Sequence, residues 1–170
     1  MTNQFSPQGR PQLPTGGRSF VARLPVRLYQ AGLGPLFGKR LLLLHHTGHL
    51  TGLHRRVVLE VITYERSDDR LSWTVASGFG PAAAWYQSLR HFPWATVQFG
   101  NLRYAATASL LPPETGGDIM TRYAAGHPRL ARRLCAFKGF RVDGSPAAFR
   151  RVGNSIPFVR LDAIPGDRIV

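Results

Sequence analysis

The chain has 170 residues, a formal charge of +13 and a single cysteine, enough length for one domain with a sizeable core. The longest uninterrupted aliphatic run is Leu41–Leu44, far short of a membrane-spanning helix, and Cys135 alone forms no internal disulfide. A positive field of this size favours an acidic partner, which leaves nucleic acid, anionic lipid or a polyanionic small molecule. Apart from Lys39 and Lys138 the basic residues are arginines, whose guanidinium forks suit phosphate and carboxylate.

Residues 1–20, rich in Gln, Pro, Gly, Ser and Thr, bury too little apolar surface to offset ordering and are read as a disordered tail. They lack the apolar core of a signal peptide, so a cytoplasmic location is expected. Residues 21–170 are read as a single domain. Phe20 to Phe37 can form a helix with Leu24, Leu28 and Ala31 on one face and Arg23 and Arg27 beside it, ended by Gly32, Gly34 and Pro35. Such a helix suits packing on the domain or on a second subunit, as a monomer or homodimer. It also suits peripheral contact with a membrane surface.

A first strand is expected over Arg40–His46 and a second over His54–Tyr64, both leucine-rich or β-branched. The turn between them carries Thr47, Gly48, Thr51 and Gly52, with His49, His54, Arg55 and Arg56 at its mouth. Glycine permits positive φ and close approach to the backbone, so this is either an anion-binding loop on a rigid sheet or a solvated polar turn. His45 and His46 point to opposite faces of a strand, and no carboxylate or cysteine stands nearby, so no metal centre is expected. Glu60 shares a face with Val58 and Ile62. It is either a structural partner of an arginine or, if buried, a proton donor.

Ser67–Arg70 is a turn and Leu71–Ser77 a third strand. Ser77-Gly78-Phe79-Gly80-Pro81 is a second glycine-bearing loop leading into a helix over Pro81–His91, whose first turn offers free N–H groups. Trp85, Leu89 and Phe92 form an apolar stripe on it, and Tyr86 and Arg90 fall on a more polar face. Strands follow over Ala95–Phe99 and Arg103–Leu111, joined at Gly100-Asn101. Helices are expected over Thr115–Ala125, with Thr115 and Asp118 in capping spacing, over His127–Phe137, and from Ser145-Pro146 to Val152. Cys135 lies in an apolar run and is read as a packed thiol. A closing strand covers Ile156–Leu161. Short antiparallel strands without a βαβ repeat predict an α+β fold: a split antiparallel barrel of about six strands with flanking helices. The arginines are scattered and no aromatic–basic platform is present, which argues against a nucleic-acid binder.

The ordered set Thr47-Gly48-His49-Leu50-Thr51-Gly52, Arg55, Val75-Ala76-Ser77, Ala84-Trp85-Tyr86-Gln87-Ser88-Leu89, Pro93, Val97-Gln98 and Ile156-Pro157-Phe158-Val159 resembles the deazaflavin-dependent nitroreductase family, split-barrel proteins similar to flavin-mononucleotide-binding oxidases. The resemblance covers about residues 26–162. It implies an oxidoreductase that binds coenzyme F-420, a deazaflavin with a phosphate and an acidic oligoglutamate tail, and passes a hydride to an unsaturated or nitro-type small-molecule acceptor. FMN or haem in the same barrel, or a non-catalytic F-420 carrier, are the alternatives. The resemblance places the phosphate end on Thr47, Gly48, His49, Thr51, Gly52 and Arg55, with Arg56 and Val57 beside it. The ring falls against Ser77, Gly78, Phe79, Gly80, Trp85 and Tyr86. His49-Leu50 stands where family members usually carry Arg-Lys, and Gly78 replaces a lysine. Ser77 would orient the ring or substrate, and Glu60 or Tyr64 would deliver the proton. Leu130 and Arg133 replace substrate-side tyrosines, which implies a different acceptor pocket.

Overall fold

Leucine and β-branched residues dominate the two longest-paired strands, β1 (Leu41–Thr47) and β2 (His54–Arg66). The computed structural model describes residues 40–137, 139–166 and 168–169, so the expected tail and the Phe20–Phe37 helix lie outside the described residues. The remaining elements are β3 (Leu71–Ala76), a short 3-10 turn (Gly80–Ala82), α1 (Ala84–His91), β4 (Trp94–Phe99), β5 (Leu102–Leu110), α2 (Pro113–Gly126), α3 (Pro128–Phe137), α4 (Pro146–Ser155), β6 (Phe158–Ala163) and β7 (Arg168–Ile169).

The strands hydrogen-bond in the order β4-β1-β2-β3-β6-β5, and β4 also pairs with β5, which closes a six-stranded antiparallel barrel. The short β7 adds to β5 at Arg103 and Tyr104. Closure leaves few backbone edges to pair with other chains. Leu42 faces Leu59 and Leu44 faces Val57 across the β1–β2 ladder, and these point inward with Trp73, Val75, Val97 and Leu161. Burial of this many large side chains, each favouring folding by about 2 kcal/mol, is the main force closing the barrel. Trp85 and Leu89 of α1 belong to the same core, so that helix plugs one end.

Between Val61 and Thr63 the β2–β3 register shifts by a bulge. Val61 points inward, Ile62 joins the cluster outside the barrel, and Tyr64 returns inward against Trp73 and Phe99. The outer cluster joins Ile62 to Met120 and Tyr123 of α2, Cys135 of α3 and Phe149 of α4. There α2 and α4 cross almost backbone to backbone. A Cβ built on Gly153 would stand 2.5 Å from the Gly116 carbonyl oxygen.

The expected barrel is present with shifted ends. β2 runs two residues past Tyr64, and α4 extends to Ser155. The expected Thr115–Asp118 cap is not formed. The helix starts at Pro113, whose fixed φ suits a first turn, and Asp118 instead pairs with Arg150 at 2.6 Å. β7 carries no alternating apolar pattern and was not anticipated.

Candidate functional site

One end of the barrel gathers cations. The β1–β2 turn is closed by Gly48 N–H donating to the Leu53 carbonyl at 2.8 Å and Gly52 N–H donating to the Gly48 carbonyl at 2.8 Å. Gly52 sits at φ +65°, the left-handed region that side chains other than glycine's adopt at a cost. At the start of β2, Arg55 pairs with His46 and Arg56 with His45. Successive residues alternate faces, so the two guanidiniums flank the barrel rim on either side. Both are exposed, and neither is in a salt bridge among the described residues. Glu60 is the first acidic residue of the whole chain, so no carboxylate precedes it to neutralise this corner.

His45 Nδ1 lies 3.3 Å from His54 Nε2. Burial first, then the charges of His54, Arg103 and Arg56, lower the His45 pKa to about 4. Burial also lowers that of His46. Both rings are therefore neutral at physiological pH, and His45 Nε2 and His46 Nδ1 are buried without partners among the described residues. His49 ties the turn to α1: its N–H donates to Ser88 Oγ at 3.3 Å, and its ring stacks on His91 with centroids 5.3 Å apart.

The Ser77–Gly80 loop opens the segment that becomes α1. Ser77 N–H donates to the Pro157 carbonyl at 2.8 Å, and its hydroxyl donates to the Gly80 carbonyl at 2.6 Å. Phe79 and Tyr86 pack part-buried against the barrel core. On the outer wall, one residue along from the Val61–Val75 pair, a recess of about 320 Å³ opens between β2 and α2. Arg40, Glu60, Ile62, Tyr123, His127 and Leu130 line it. A larger groove, about 600 Å³, lies on another wall beside Trp94 and Asp162.

The F420H2-dependent quinone reductase family matches this chain over residues 21–131, more than half of its length. The chain belongs to that family. Among solved structures it is similar to one titled an F420-H2 dependent reductase, at 20% identity over 72% of this chain and 94% of that one, with a TM-score of 0.46. It is also similar to a pyridoxamine 5'-phosphate oxidase-related FMN-binding protein from Nostoc punctiforme, at 14% identity over 82% and 78% of the two chains, TM-score 0.43. With scores this low the fold assignment rests on the strand ladder itself. No curated protein sequence matches the chain. As a member of that family the chain is an oxidoreductase, and its cofactor is coenzyme F-420.

The corner suits the acidic end of that cofactor. Arg55 and Arg56 carry forked donors and are in no salt bridge among the described residues, and the glycine turn lets an anion approach the backbone. Thr47, Thr51 and Gly52 are exposed there, with His49 half-buried. Val57, Phe79 and Tyr86 form the apolar flank, whereas Trp85 is a barrel-core residue only 7% exposed.

Of the three residues expected to act together, Glu60 and Tyr64 line the same recess, and Ser77 is not among its lining residues. Ser77 is fully buried and its hydroxyl donates to the Gly80 carbonyl within its own loop. Tyr64 stacks on Trp73 with centroids 5.8 Å apart, packs part-buried against the barrel core and also borders the recess. The side chain of Glu60 is 45% exposed and pairs with Arg40 at 3.7 Å. It is thus the arginine-paired carboxylate that was one of the two readings of the sequence, and it borders the recess. Tyr123 and His127 were passed over in the sequence. Their four-residue spacing on a helix puts them on one face, but nothing local says that this face meets β2.

Proposed function

We propose that this protein passes a hydride from reduced coenzyme F-420 to a quinone-type acceptor, with the cofactor's phosphate and acidic tail held at the β1–β2 corner. The observation that carries this reading is the pair of exposed guanidiniums, Arg55 and Arg56, in no salt bridge among the described residues, beside a glycine turn. When bound, the deazaflavin supplies the hydride.

The chain's own residues do the rest. Thr47, Gly48, His49, Thr51 and Gly52 shape the anion cradle. Arg55 and Arg56 neutralise its guest through charge-assisted hydrogen bonds of about 1.5–3 kcal/mol each. Gly78, Phe79 and Gly80, held in place by Ser77, border the ring. The barrel core behind them, with Trp85 at its end, keeps that side dry, and exclusion of water strengthens each polar contact in the site. Among acceptors the family's description favours a quinone over a nitro compound.

The test is anaerobic oxidation of reduced F-420, followed by recovery of its visible absorbance, with a soluble naphthoquinone and a nitroaromatic in parallel. Enzyme-dependent recovery with the quinone, faster than with the nitroaromatic, is the expected outcome. Recovery with the nitroaromatic alone would replace the quinone reading. No recovery with either would leave the protein a carrier of the coenzyme.

A further inference from the structure

On the wall formed by β4, β5 and β6 an indole stands open to solvent. Trp94 is 70% exposed, whereas Trp73 and Trp85 are buried in the barrel core. A lone exposed aromatic is ordinary. This one borders a groove of about 600 Å³, within the range of small-molecule pockets. The strand ladder sets what stands beside it. Trp94 faces Thr107 directly across β4–β5, and Thr107 faces Asp162 directly across β5–β6. Directly opposed residues share a face of the sheet, and all three border the groove. Two strand spacings, about 10 Å in all, separate the indole from the carboxylate along that row. That is room for a flat two-ring heterocycle with a hydrogen bond at its edge. The floor does not obstruct it, because Ala95, Ala105, Ala106 and Ala163 offer only methyl groups and backbone.

Hydrogen-bonding capacity is left over at the polar end. Asp162 Oδ2 accepts from Arg160 Nε at 2.9 Å, while Oδ1 is buried with no partner among the described residues. A carboxylate accepts about four hydrogen bonds, and a buried oxygen that accepts none costs free energy. The Asp162 side chain is 23% exposed, and the terminal torsion of aspartate is soft, so a modest turn presents Oδ1 to the groove. Arg70 borders the same groove, exposed and in no salt bridge among the described residues.

We propose that this groove is a second small-molecule site, separate from the cofactor corner, and that it takes a purine nucleotide. The base stacks on the Trp94 indole, its N–H edge donates to the Asp162 carboxylate, and its phosphate meets the Arg70 guanidinium. Guanine fits better than adenine. Its ring N–H and exocyclic amine form a double donor for two carboxylate oxygens, whereas adenine sets an acceptor nitrogen beside its amine. A wall with one exposed aromatic stacks a single base, which makes it a mononucleotide site and not a track for a strand. The site stands independently of the reading of the cofactor corner.

The experiment is equilibrium dialysis of the full chain with GMP, and with guanosine and AMP in parallel, each with and without saturating F-420. GMP should bind at one site per chain, with guanosine and AMP each about tenfold weaker. Trp94→Ala should weaken GMP binding about 10–100-fold, the range for losing one base–aromatic stack. Asp162→Asn should weaken it about tenfold, and Arg70→Gln should lower GMP to the affinity of guanosine. Ala105→Trp, which fills the floor and leaves those three side chains in place, should abolish binding. Circular dichroism and F-420 affinity should match wild type in every variant, and F-420 should not displace GMP. No saturable GMP binding by wild type, or binding indifferent to Trp94→Ala and Ala105→Trp, would overturn the proposal. Displacement by F-420 would overturn it too, by making the groove part of the cofactor site. So would a wild-type dimer that Trp94→Ala turns into a monomer, because the wall would then be an interface between copies.

Discussion

His45 offers a test of the electrostatics at the cationic corner. Its ring is partly buried on the barrel wall, with Nδ1 3.3 Å from His54 Nε2 and the Arg56 and Arg103 charges close by. Its pKa falls from 6.5 in the unfolded chain to about 4 in the folded one. Between those values the unfolded state binds the extra proton, so stability is complete above neutrality and is lost as pH falls through the window. The full gap corresponds to about 3.4 kcal/mol. Because the ring is only partly shielded, solvent screening reduces this to about 1–2 kcal/mol. The perturbation is His45→Gln, which keeps a polar side chain but cannot titrate. Thermal unfolding of both proteins is followed between pH 7.5 and 4.5, and the difference between them is plotted. All other titrating groups are shared and cancel. The wild type should lose about 1–2 kcal/mol relative to the variant across that range, a change of about 2–8 °C in the Tm difference. A difference that stays flat with pH would show that the ring accepts a proton freely when folded, and the account of a desolvated, cation-crowded corner would be wrong.

Arg55→Gln and Arg56→Gln should each weaken F-420 binding by about 10–100-fold, less at high salt than at low, since each removes one charge-assisted contact. Isothermal titration at two ionic strengths checks this, and equal affinities at both would move the anion site elsewhere. Gly153→Ala should destabilise the fold by about 1–2 kcal/mol despite alanine's better helix propensity. Its Cβ would meet the Gly116 carbonyl at 2.5 Å and the Met120 Cβ at 2.6 Å, and neither can retract. A Tm at or above that of wild type would mean that α2 and α4 separate without cost. Glu60→Gln should leave turnover within about twofold and shift the Tyr123 phenol titration downward, read by ultraviolet difference spectra. A large loss of turnover would restore Glu60 to the chemistry.

Much of the barrel was legible because its strands are written in local pattern. Leu41–Leu44 and Val57–Ile62 are dense in strand-forming apolar residues, and turn residues punctuate them at Gly48, Gly52 and Gly100. The Ser145-Pro146 start was readable for a similar reason: the Ser145 hydroxyl accepts from the Ala148 N–H at 3.2 Å, as an N-cap should. The cationic corner was legible too, since Arg55 and Arg56 follow a glycine turn directly. What stayed hidden depends on tertiary approach. The bulge at Val61–Thr63 turns Tyr64 into the core, where strict alternation would have sent it out with Glu60. Ser77 looked available in the sequence, and only the folded loop aims its hydroxyl at Gly80. The recess exists because α2 docks beside β2, which no spacing within α2 specifies. Gly116-Gly117 and Gly153 were the signal that helices cross closely there, a packing role that single glycines in a helix often carry.

The central claim is most directly tested by titrating the intrinsic tryptophan fluorescence with coenzyme F-420 and, in parallel, with FMN, for wild type and for Arg55→Gln/Arg56→Gln. Trp85 lies in the barrel core, against which Phe79 and Tyr86 pack, and serves as the reporter. The account predicts saturable quenching by F-420 at lower concentration than by FMN, and loss of that preference in the double variant. Equal affinity for both ligands, unchanged when the two arginines are removed, would contradict it.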